Sequence, residues 1–259
     1  MSSFIHETAI VAPEARIGDG CHIGPYSIVG SDVVLAERVR LESHVVIDGK
    51  TTIGSETHVF PFACIGMAPQ DLKYKGETTV TEIGERNILR EYVTVHRGTT
   101  GGGGVTRVGN DNLLMAQAHV AHDCILGSGI IMANSASLAG HVRINDYATL
   151  GGLSGVHQFC RIGTGSLIGA FSIAVKDVLP YSTVQGNHAR CFGTNKIGLK
   201  RRGHSREAID AVRKAFRLLL SSKMNTTQAV ERIRAEIAPC SEIDLLIDFI
   251  ETSKRGVAL

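Results

Sequence analysis

Tryptophan is absent from the 259 residues, and aromatic residues make up only 5% of them. That scarcity suits neither an aromatic-cored β-sandwich nor, with 29 glycines in the chain, a coiled coil. There is no run of about 18 apolar residues to cross a bilayer. Met1–Ile10 lacks a basic segment leading into an apolar one, so no signal peptide and no stable membrane insertion are expected. Charge of one sign is not in excess either. A formal net charge of +2 gives no global reason to expect nucleic acid or a membrane surface as a partner. The six cysteines (Cys21, Cys64, Cys124, Cys160, Cys191 and Cys240) form no CxxC pair, which fits reduced thiols and a cytoplasmic location.

What the chain does have is a period of six. Ile5, Val11, Ile17, Ile23, Val29, Leu35, Leu41, Ile47, Ile53, Val59 and Ile65 stand six apart without a miss. The period resumes at Ile83, Leu89 and Val95. It then runs from Val108 through Leu114, Val120, Leu126, Met132, Leu138, Ile144, Leu150, Val156, Ile162 and Ile168 to Ala174. Only Met132 and Ala174 depart from Ile, Leu or Val. Two places before most of these aliphatic residues stands a small or β-branched one, such as Cys21, Ser27, Thr51, Ala63, Cys124, Ala136 or Cys160. A helix would repeat at three and four, and its interior would not carry so many glycines. A hexapeptide period marks a parallel β-helix, in which each unit supplies one short strand and one turn. The aliphatic residue points inward, and stacked coils bury continuous ladders.

Two stretches leave the period. Residues 67–82 are polar and charged, and residues 101–107 are rich in glycine; both read as loops leaving the scaffold. After Pro180 the period is lost and helical patterns begin. Ser205 is expected to cap a helix with Ile209, Val212, Phe216 and Leu219 on one face. Thr226 or Thr227 opens a second, and Ser241 caps a third. The expected plan is a mainly β chain: a β-helix over 1–185 and a small C-terminal α-helical domain over 186–259.

Histidines gather in the third run, at His119, His122, His141 and His157. Known hexapeptide-repeat proteins, which this chain resembles, take 18 residues per coil and wind left-handed, against the usual right-handed crossover preference. With that spacing, Gly140 stacks on His122, Gln158 on Gly140, and His141 on Asp123, about 4.8 Å apart. One edge of the prism then collects His122, Asp123, Gly140, His141, His157 and Gln158. A base, an adjacent carboxylate and a glycine amide are what acyl transfer requires. Isolated histidines such as His22, His44 and His58 read as solvated surface residues. The rival reading is a zinc enzyme resembling the γ-class carbonic anhydrases, which share the β-helix. Their ligand pattern is H-x4-H with a further histidine upstream, whereas this cluster offers His119-x-x-His122. A purely structural β-helix would repeat surface threonines and would not need the histidines.

The segments QDLKYKGE, HRGT, DNLLM, AHDC, LAGHV, VHQFC, QGNHA and LKRRGHS occur in the order and spacing of the UDP-N-acetylglucosamine acyltransferase family. The resemblance spans essentially the whole chain. It implies a homotrimer with sites between subunits, which moves a 3-hydroxyacyl group from acyl carrier protein to the sugar 3-position at the start of lipid A biosynthesis. No metal is implied, and no cofactor beyond the phosphopantetheine that carries the donor. The companion N-acyltransferase of that pathway usually carries an extra N-terminal domain, missing here.

By the same resemblance, His122 is the general base, Asp123 its orienting carboxylate and the Gly140 amide the oxyanion donor. His119, His141, His157 and Gln158 meet substrate. Gln70, Asp71 and Lys73 reach in from a neighbouring subunit. Asn195, Arg201 and Arg202 contact the nucleotide diphosphate, Ala170 ends the acyl channel, and Arg213 and Arg217 meet the acidic carrier protein. The chain departs from the family at Ile197, where members carry an acid expected to meet the nucleotide, at its ribose. The acceptor atom, oxygen or a 3-amino nitrogen, stays open.

Overall fold

The computed structural model describes residues 2–221 and 224–259. Strands of mostly two residues alternate with tight corners, and they assemble into three sheets of eleven, nine and eight strands. Parallel pairing joins each residue to the one a coil above, as in Phe4↔His22, Ile10↔Ile28 and Arg16↔Val34. The result is a left-handed parallel β-helix of triangular section. The right-handed crossover preference comes from twisted strands feeding helices. Two-residue strands accumulate little twist and have corners instead of helices, so that preference has nothing to act on.

The period-six residues line the interior. Ile23, Leu41, Ile47, Ile65, Leu89, Leu114, Leu138 and Ile168 are completely or almost completely buried. Each such side chain contributes about 1.5–3 kcal/mol relative to exposure. Cys21, Cys124 and Cys160 fill the narrow places between them, and all six cysteines are free.

The first loop proves shorter than the sequence suggests, and the second begins and ends earlier. Strands Cys64–Met67 and Val80–Ile83 bound the first, leaving residues 68–79. Strands Thr94–His96 and Val105–Val108 bound the second, leaving residues 97–104 around a short 3-10 turn, Thr100–Gly102. The difference has a physical cause. Thr51, Thr81 and Thr106 stack in register and are buried, so polar-looking residues extend the strands inward. Both loops leave strands of the nine-stranded sheet, at the corner where His122 lies above them.

The solenoid passes into the C-terminal part through a hairpin. Ser182–Gln185 pairs in parallel with Leu167–Ile168 and antiparallel with Arg190–Thr194. Four helices follow: α1 (Lys196–Arg201), α2 (Arg206–Leu219), α3 (Thr226–Glu236) and α4 (Ser241–Glu251). Their core joins Val212, Phe216, Ile233 and Leu246 to Leu179 and Tyr181 of the solenoid end. Ser205 caps α2 by accepting from the Ala208 N–H. Thr226 opens α3 as expected, and the expected cap of α4 moves by one residue. Asn225 caps α3 through a reciprocal capping box with Gln228. Cys240 holds the cap position of α4, with no side-chain bond, and Ser241 is its first residue. No helix among the described residues is long and apolar enough to cross a membrane.

Candidate active site

The strand His119–Val120 runs into a corner made by Ala121, His122 and Asp123. Asp123 adopts φ = 61°, a left-handed conformation that Asp tolerates better than most residues, and is 4% exposed. A carboxylate so placed needs several donors to offset its lost hydration. They come from the second loop and from the neighbouring ring. The Thr99 N–H donates to Oδ1 at 2.8 Å and the Thr99 hydroxyl to Oδ2 at 2.6 Å. Nδ1 of His122 lies 2.7 Å from Oδ2, and Nδ1 of His141 lies 3.7 Å from the same atom. The Asp123 N–H in turn donates to the Thr106 hydroxyl at 2.8 Å.

An ionised carboxylate only accepts, so His122 carries its proton on Nδ1 and leaves Nε2 as a free lone pair. That nitrogen faces Gly140. A Cβ built on Gly140 would stand 2.6 Å from Cε1 and 2.7 Å from Nε2 of His122. Only glycine leaves room for the ring, and the Gly140 N–H has no acceptor among the described residues. A base and an unpartnered amide thus lie on neighbouring coils, in contact range of one another.

The space between them opens into a cleft of about 490 Å³. His119, Ser137, Gly155 and Ile173 occupy successive coils on its wall, in register with one another. Gly155 leaves a notch, and Ile173 closes it: a Cβ at Gly155 would come within 3.0 Å of Ile173 Cδ1. The cleft is therefore polar at its histidine end and apolar at the other. Burial pushes His96 down to about 4, helped by the nearby His119 and His122. Burial also lowers His119, and it lowers His141 against the opposing pull of Asp123. The rings around His122 are held neutral.

The ring nitrogens and carboxylate of His122, Asp123 and His141 lie close enough to hold a metal ion. The local bonding speaks against that use. Asp123 Oδ2 already accepts from the Thr99 hydroxyl and from His122, and a metal would displace the proton that orients the His122 ring.

Residues 177–258 match the family model for UDP-N-acetylglucosamine O-acyltransferase, domain 2, and residues 14–49 match the bacterial transferase hexapeptide model. The chain is 45% identical to LpxA from Acinetobacter baumannii, with 99% of this chain and 100% of that one covered at a TM-score of 0.96. It is 39% identical to LpxA, a UDP-N-acetylglucosamine acyltransferase, from Bacteroides fragilis, over 99% and 100% of the two chains at 0.97. The UDP-N-acetylglucosamine O-acyltransferase of Moraxella catarrhalis gives 44%, over 98% and 99%, at 0.94. The chain belongs to the UDP-N-acetylglucosamine acyltransferase family.

The site residues expected from the family resemblance fall into separate groups. Gln70, His119, His122, Gly140 and His157 line the cleft, with Asp123 behind it and His141 beside it. His157 and Gln158 are exposed, and His157 Nδ1 lies 3.1 Å from the Gln158 carbonyl. The first loop sits over its own chain's histidines, whereas a reach into a neighbour was expected. Gln70 lines this cleft, and the Asp71 charge acts on His141. Lys73 is exposed, its N–H donating to Asp71 Oδ1.

Asn195, Arg201 and Arg202 lie at a different corner of the prism. Asn195 caps α1 through the Gly198 N–H and donates to the Gly165 carbonyl at 3.0 Å. The half-buried Arg202 guanidinium lies over the Tyr147 ring, while Arg201 is exposed. Ile197, in the first turn of α1, presents an exposed apolar side chain. Ala170 is exposed on a third edge, beside Phe171. Arg213 and Arg217 are exposed on α2, with Arg213 paired to Asp210 at 3.1 Å.

Sequence reasoning gave no role to Thr99, Thr106 or His96. Thr99 and His96 stand in the HRGT segment, which carried the family resemblance but no chemistry of its own.

Proposed function

We propose that this chain transfers a 3-hydroxyacyl group from acyl carrier protein to the 3-position of UDP-N-acetylglucosamine, the opening step of lipid A biosynthesis. The observation that carries the reading is the His122–Asp123 pair packed against Gly140, whose amide is unpartnered among the described residues, at a cleft with an apolar end. Nε2 of His122 takes the proton of the sugar hydroxyl as its oxygen attacks the thioester carbonyl. The Gly140 N–H receives the oxyanion that develops. The C–S bond then breaks, and His122 returns the proton to the departing thiolate. The only carrier group is the donor's own phosphopantetheine.

The chain works as a homotrimer in the cytoplasm. Six free cysteines suit a reducing compartment. The nucleotide group, Asn195, Arg201 and Arg202, stands on another corner from the base, so three chains around an axis would bring the two halves together. Tyr26, His44, Phe62 and Tyr92 stack along one edge at centroid spacings of 5.0–5.1 Å, an exposed ladder of the kind that subunit contacts cover. Light scattering should give three times the chain mass; a fully active monomer would remove this reading. In the assembled site we assign His119, His141, His157, Gln158, Gln70, Asp71 and Lys73 to the sugar and phosphopantetheine. Arg201 and Arg202, with Asn195, go to the diphosphate. Arg213 and Arg217 go to the acidic carrier protein. Ile197 offers no carboxylate to the nucleotide.

Ala170 sets acyl length in this reading, at a place where a neighbouring chain completes the groove. Ala170→Gly should favour longer donors and Ala170→Met shorter ones, with the wild type preferring about 12 carbons, because crowding one methylene into a packed wall costs about 1–3 kcal/mol. A donor competition in which both variants keep the wild-type ranking removes Ala170 as the determinant. Product mass spectra with UDP-N-acetylglucosamine and its 3-amino analogue decide between oxygen and nitrogen acylation.

A further inference from the structure

His96 ends the strand Thr94–His96, one coil below His122, and lines the floor of the cleft. It is 6% exposed, and its ring stands edge-on to His119 at 5.0 Å. Nδ1 is sealed from solvent and has no hydrogen-bond partner, the one histidine nitrogen of that kind among the described residues. The nitrogen through which His96 meets the cleft is therefore Nε2. The proton has two places to go. On Nδ1 it would be a buried donor with no acceptor, and orphaned N–H groups are rarer in folded proteins than under-satisfied acceptors. On Nε2 it faces the cleft, where a ligand oxygen can accept it.

We propose that His96 binds substrate as a neutral imidazole, donating its Nε2–H to an uncharged oxygen of the acceptor sugar. This rests on the acyl-transfer reading above. The ring's depressed pKa of about 4 keeps it uncharged where His122 works, and it supplies one oriented donor. Its place in the cleft selects the sugar over the acyl chain. The apolar notch at Gly155 and Ile173 lies coils above the base, whereas His96, His119 and Gln70 form the polar end. A neutral donor suits a hydroxyl or amide carbonyl; a phosphate is better met by guanidinium groups.

The test uses the full-length protein and two variants. His96→Phe keeps a planar ring without the donor, and His96→Gln keeps an N–H at similar reach. His96→Phe should raise the KM for UDP-N-acetylglucosamine about tenfold, the size of one lost hydrogen bond, and leave the KM for the acyl donor within about twofold. His96→Gln should recover most of the loss. Nitrogen-15 spectra of the labelled wild type should show His96 protonated on Nε2 and bare on Nδ1. Equal KM changes for both substrates, or a proton on Nδ1, would overturn the role while the acyl-transfer reading stands. Absence of acyl transfer by the wild type would overturn that reading, and this role with it.

Discussion

His122→Ala should lower kcat by about 10²–10⁴-fold, the usual contribution of a positioned base, with substrate binding largely intact. Nothing nearby replaces it. Burial lowers the pKa of His119 and His141 and makes them weaker bases, and Nδ1 of His119 is engaged by the Thr94 hydroxyl at 2.7 Å. Asp123 is buried behind the His122 ring and does not line the cleft. Asp123→Asn should cost less than removing the base, since the carboxylate orients and polarises a ring that remains present. Single-turnover measurements separate the chemical step from binding. Near-normal turnover in His122→Ala, with activity abolished by Asp71→Ala, would mean that the base is elsewhere.

Gly140→Ala should be nearly as damaging, about 10²-fold in kcat, although it adds one methyl group and removes no hydrogen bond. The new Cβ would stand 2.6 Å from Cε1 of His122, closer than carbon atoms approach without displacement. The ring must move, and a shift of about 1 Å in a reacting group costs about 10²-fold. Gly140 has an ordinary negative φ, so its backbone accepts alanine without strain. The thermal midpoint should therefore change little while turnover collapses. A variant with normal turnover would show that the His122 ring does not work in the position seen here.

The solenoid was legible because its physics is one-dimensional. An inward aliphatic residue every six positions admits one stacking, and it put Asp123 beneath His141 and His122 beneath Gly140. What stayed hidden came from the interruptions. Thr99 reaches Asp123 because the second loop folds back over the corner, and no period carries that information across residues 97–104. Thr81 and Thr106 point inward, yet an aliphatic ruler passes over them. His96 is set apart by a sealed, unpartnered nitrogen, which only coordinates reveal. The short helix α1 is built on the Asn195 cap and its tie to Gly165, a contact thirty residues away in sequence.

The central claim is acyl transfer by the chain's own imidazole and amide. It is tested most directly by product mass spectrometry on protein stripped of metal with a chelator. Given 3-hydroxyacyl carrier protein and UDP-N-acetylglucosamine, the stripped protein should yield the nucleotide sugar heavier by one 3-hydroxyacyl group, as fast as untreated protein does. No such product, or a product that forms only after zinc is restored, would contradict the account.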